Sequence, residues 1–175
     1  VRTDVVFLAA LLVTTPALAA DRPGAQHRAH QHGAARLQVS LEGPTLQVAL
    51  DTPADNILGF EHAPRTEAQR SAVTRAEQQL KQTTELFATP PAAECRADPA
   101  RVEIKLPPAG SKETHSEIEA EWRWACANPA ALDHVDVGLF KAFPRLKQLR
   151  AQVVSGRGQA TAVLGPRATR LKLGS

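Results

Sequence analysis

The sequence contains no tyrosine and no methionine, and aromatic side chains make up only 4 % of it. It lacks acidic residues altogether from Lys141 to its end, where eight lysines and arginines stand unopposed. Such a basic segment raises the question of nucleic acid. No aromatic stacking platform interleaves it, and pairing with the acidic part of the same domain is the simpler expectation. From Ala20 to Phe140 the balance is reversed, with 12 basic and 17 acidic residues. A long apolar run is also missing. The longest, Val5 to Val13, is too short to span a bilayer. Catalytic patterns are missing as well. No Ser/His/Asp or Cys/His order suggests a nucleophile site, and Glu61-His62 does not belong to an H-E-x-x-H helix. An enzyme is not expected.

Cysteine is scarce too. Cys95 and Cys126 are the only two. An even count in an exported chain favours one disulfide. The alternative is a pair of thiolate ligands for a soft metal, which an oxidising compartment disfavours. Export itself is expected from residues 1–19. Arg2 gives an n-region, Val5 to Val13 an apolar core, and Ala17-Leu18-Ala19 a small-x-small cleavage pattern, with the cut after Ala19. The mature protein is then expected to be soluble outside the cytoplasm.

What the chain does have, immediately after that segment, is histidine. Three of its six histidines, His27, His30 and His32, fall within HRAHQH. Residues 20–35 are rich in Pro, Gly, Gln and Ala without apolar period and read as a flexible arm. A free backbone can bring two or three imidazoles onto one zinc ion. The competing reading is a soluble linker that binds nothing.

Residues 36–175 read as one α+β domain, mostly antiparallel. Leu37, Val39 and Leu41 alternate with polar residues, as do Leu46, Val48 and Leu50 beyond a Gly43-Pro44 turn, which predicts a hairpin. Ile57, Leu58 and Phe60 give the following loop a buried middle. Thr66 and Gln69 form a capping box that opens a long helix over about 66–87. Val102, Ile104 and Leu106 predict a strand. A second short helical segment is expected over about 130–143, and three strands follow at 149–154, 159–164 and 169–173.

The stretch 115–126 carries two different faces. Ser116, Ile118, Ala120, Trp122, Trp124 and Cys126 share a mostly apolar one, and His115, Glu117, Glu119 and Glu121 share the other. His115 and Glu117 are placed to reach one ion and, with the arm, to complete one tetrahedral site; a solvated acidic face is the bland alternative. His62 is expected as a packed, hydrogen-bonded histidine, with metal ligation second. His134 is expected on the surface.

Several of these stretches together resemble a family. HRAHQHG, ARLQVSLEGPTLQVAL, PADNILGFEHAPRTEAQ, ELFATPPAAEC, HSEIEAEWRWACANP, GLFKAFPRLKQL and GQATAVL are similar, in order, to the ZrgA-like zinc-responsive periplasmic proteins of Gram-negative bacteria. The resemblance implies an exported zinc-binding protein, not an enzyme, that buffers zinc or assists its delivery to a zinc ABC importer. Residue by residue it points to His27, His30, His32, His115 and Glu117. Many members carry a second His-rich insertion, whereas residues 107–114 here contain no histidine. One site, or two, is therefore expected. The competing classes are an envelope interaction module with an incidental arm, and a copper or nickel handler. Copper would bind such an arm tightly in vitro whatever the biology.

Overall fold

The computed structural model describes residues 31–111 and 116–174. The leader expected over 1–19, His27, His30 and His115 lie outside the described residues.

The chain opens with the expected hairpin. β1 (Ala34–Glu42) and β2 (Thr45–Pro53) pair antiparallel, with Glu42 opposite Thr45. Gly43 turns between them at φ +55°, a left-handed geometry that glycine adopts without strain. Single-turn α1 (Asp55–Leu58) follows. Then comes α2 (Glu67–Leu80), opened by the reciprocal Thr66–Gln69 capping box. Short α3 (Thr83–Leu86) leads into β3 (Phe87–Ala88). β4 (Cys95–Ala97) and β5 (Arg101–Lys105) both lie along β6 (Glu117–Cys126). The remainder is β7 (His134–Val137), α4 (Leu139–Ala142), β8 (Gln148–Ser155), β9 (Gly158–Leu164) and β10 (Arg170–Lys172).

Two sheets result. The larger runs β4-β6-β2-β1-β8-β9, with β5 also on β6; the smaller runs β10-β7-β3. Every pairing is antiparallel except β1 with β8, which is parallel. The alternating apolar residues of β1, β2, β6 and β8 are buried on one face of the large sheet. Leu80, Leu86, Phe87, Val135, Leu139, Phe140 and Leu171 are buried with them in a single core. Trp122 and Trp124 are core residues, as the alternation implies. The Phe87 ring lies 4.7 Å from Trp122 and edge-on to Trp124 at 5.8 Å. Cys95 and Cys126 face one another across β4 and β6 and form the disulfide.

Two expectations are corrected. The long helix stops at Leu80 rather than running to Phe87. The indole Nε1 of Trp122 donates to the Leu80 carbonyl at 2.8 Å, satisfying an oxygen that helix continuation would otherwise claim. Breaking the chain there lets Phe87 enter a strand and pack on both tryptophans. The second correction concerns residues 130–143. Pro129–Ala131 makes a 3-10 turn and Leu139–Ala142 a single α-helical turn, but between them His134–Val137 is a strand flanked by β3 and β10. Leu132, Val135, Leu139 and Phe143 fit a helical period, but Val135 and Val137 fit a strand equally well. The neighbouring strands decide between them. His134 accordingly lies on β7 with only 22 % of its side chain exposed, not free on the surface.

Candidate metal centre

Two backbone clamps position the site at one end of the large sheet. The first holds the end of the arm. Asn56 is buried, and its amide reads three neighbours. Its Oδ1 accepts from Gly33 N at 2.5 Å; its Nδ2 donates to Ala34 O at 2.9 Å and to Thr52 Oγ1 at 3.0 Å. Gly33 O in turn accepts from Lys147 N at 2.7 Å and Gln148 N at 2.9 Å, so both polar groups of this peptide are held. Gly33 needs to be glycine twice over. Its φ is +82°, and a Cβ would stand 3.3 Å from Lys147 Cγ. His32, the last histidine of the arm, therefore leaves a fixed point.

The second clamp holds the loop after α1. Ser116 is buried and its Oγ donates to the Glu61 carbonyl at 2.5 Å, while its own carbonyl accepts from Ala54 N at 3.0 Å. Gly59 caps α1 at φ +83° with the Arg145 guanidinium against it, 2.9 Å from where a Cβ would lie.

Between these clamps His32 and Glu61 meet. Nε2 of His32 lies 3.6 Å from Oε2 of Glu61, with side-chain exposures of 63 % and 27 %. The other carboxylate oxygen, Glu61 Oε1, is buried and has no hydrogen-bond partner among the described residues. Zinc bonds of about 2.0–2.2 Å to imidazole nitrogen and carboxylate oxygen set adjacent tetrahedral donors roughly 3.3–3.5 Å apart. A neutral imidazole and a carboxylate at this spacing, one of whose oxygens is otherwise unmatched, fit a divalent ion of the zinc type. Two donors do not complete a site, and among the described residues no group of three or more His, Cys, Asp or Glu side chains converges.

The remaining candidates are placed as follows. His62 stacks on Phe60, ring centroids 5.2 Å apart, and its Nδ1 stands 2.8 Å from Ala63 O. A carbonyl accepts only from N–H, so Nδ1 carries the proton and Nε2 keeps the lone pair in the neutral ring. His62 is thus partly buried, stacked and hydrogen-bonded at the edge of the core. Glu117 begins β6 opposite Pro53 and Lys105. It leaves the strand on the face opposite to inward-facing Ser116. Further along that row Glu119 is engaged by Lys105 Nζ at 2.7 Å. That contact raises the Lys105 pKa, first through its hydrogen bond to Glu119. Glu117 thus does not join His32 and Glu61 in one cluster. Cys95 and Cys126 are joined to each other, which removes two thiolates from consideration.

Sequence reading passed over Glu61 because it belongs to no recognised catalytic pattern. The available signal was Ser116, a hydroxyl in an otherwise apolar row, which needed a partner once buried.

The fold and this end of the sheet define a disulfide-bonded α+β protein that presents the His32–Glu61 pair beside the start of β1. Residues 29–173 match the ZrgA family, described as ZrgA family zinc uptake protein, and the chain belongs to that family. Comparison with curated proteins finds no match. The family description is one of zinc uptake, not of an enzyme. Among the described residues no helix is long and apolar enough to cross a membrane.

Proposed function

We propose that this protein is a periplasmic zinc-binding accessory that buffers zinc or hands it to the solute-binding protein of a zinc ABC importer. The family match carries this reading, because it begins at residue 29 and so includes His30 and His32 of the arm along with the domain. The disulfide supports an oxidising compartment. In this reading residues 1–19 are a cleaved leader, residues 20–35 the arm and residues 36–175 one domain. Zinc is cargo, and its ligands are drawn from His27, His30, His32, His115 and Glu117. The role is binding and transfer without catalysis.

The test is calorimetric titration of the mature chain with zinc. Binding at micromolar zinc or tighter is expected. Replacing His27, His30 and His32 together by Ala should weaken it by at least about tenfold, the loss expected when first ligands are removed. Absence of binding to the wild-type chain at micromolar zinc rejects the reading.

A further inference from the structure

We infer that Glu61 and His32 are two ligands of one zinc ion, Glu61 being the fixed carboxylate onto which the arm delivers its last imidazole. This rests on the zinc-binding reading above and adds to it a residue outside that ligand set.

The geometry carries the inference. Glu61 comes from the loop after α1, His32 from the end of the arm, and each is anchored through backbone rather than by contact with the other. Ser116 holds the Glu61 carbonyl, and Asn56, Lys147 and Gln148 hold Gly33. At 3.6 Å, Nε2 and Oε2 are too far apart for a good hydrogen bond, which lies within about 2.7–3.2 Å. They are close to the edge of a zinc tetrahedron, roughly 3.3–3.5 Å. A structural ion pair would explain the approach of Oε2 to a protonated His32. It would not explain why Oε1 is buried with nothing to accept from among the described residues. Buried carboxylate oxygens are ordinarily matched. An ion held through both oxygens matches this one.

The donor chemistry also selects. One imidazole nitrogen with one carboxylate suits zinc and neighbouring transition ions, and does not suit magnesium or calcium, which take oxygen throughout. The site is open toward His32, which is mostly exposed.

The test uses the mature chain, stripped of metal and titrated with zinc against a chromophoric chelator. Glu61→Gln should weaken the tightest site at least about tenfold. It should leave the melting temperature of the metal-free protein unchanged or higher, because it removes the charge from a carboxylate one of whose oxygens is buried without a partner among the described residues. His32→Ala should cause a comparable loss, and the double variant little more than either single one, as expected for ligands of one ion. In the wild-type chain the Glu61 side-chain carboxyl 13C resonance should shift on zinc addition. Wild-type zinc affinity in Glu61→Gln, fully additive losses in the double variant, or an unmoved Glu61 resonance in a zinc-loaded wild-type chain each overturns the inference. Each leaves the zinc-binding reading standing. Failure of the wild-type chain to bind zinc overturns both.

Discussion

Asn56 decides where the arm ends. A side-chain amide can donate and accept at once, and Asn56 uses both ends on Gly33, Ala34 and Thr52. Asn56→Ala should cost about 2–3 kcal/mol, because it leaves buried backbone groups without partners; urea denaturation measures this. The same variant should weaken zinc binding by releasing His32. Unchanged zinc affinity in a folded Asn56→Ala protein would separate the arm's anchor from the metal. Gly33→Ala should destabilise by about 1–2 kcal/mol through its left-handed backbone alone. At this scale the sequence was only partly readable. His32 stood out because histidine clusters are rare. Asn56 and Glu61 did not, because their significance lies in partners 22 or more residues away.

Among the elements, periodicity was a good guide wherever one face of a strand or helix meets the core. The β1–β2 hairpin, the Thr66–Gln69 cap and the two-faced β6 all follow from local pattern. It misled where two periods fit the same residues, as in residues 130–143. Trp122 shows what terminates α2. Trp122→Phe deletes the bond to Leu80 O and leaves a gap where part of the buried indole stood, and should cost about 2–3 kcal/mol. Chemical denaturation with amide exchange at the end of α2 tests it; undiminished protection there would show that the indole does not hold that terminus. β7 and β10 are linked by the two-pronged Arg170–Asp136 pair at 2.8 and 2.9 Å. Its hydrogen bonds hold the Asp136 carboxyl below the ordinary value of 3.8. A depressed carboxyl contributes stability that is present above the ordinary value and lost as pH falls through the lowered one. The NMR titration of Asp136 should therefore have its midpoint below 3.8 and move up toward it in Arg170→Met. No upward movement would mean that Arg170 does not set it.

At the scale of the molecule, the disulfide favours the folded chain. Cys95 and Cys126 are 31 residues apart, for which loop-closure entropy gives roughly 3–4 kcal/mol. The double Cys→Ala variant should lose about that much in equilibrium unfolding; a loss under about 1 kcal/mol would show that the remaining core holds the β4–β6 edge unaided. The basic C-terminal fifth is partly neutralised inside the domain, through Arg170 on Asp136 and Arg157 near Asp133. The sequence by itself determined the half-buried strands, the helix start and the cysteine pair. Each of these is written in residues a few positions apart, or in a composition too biased to overlook. Only the tertiary structure decided the parallel pairing of β1 with β8, the strand at His134–Val137 and the meeting of His32 with Glu61. Those depend on which distant segments share a core, and no local period or propensity encodes that choice.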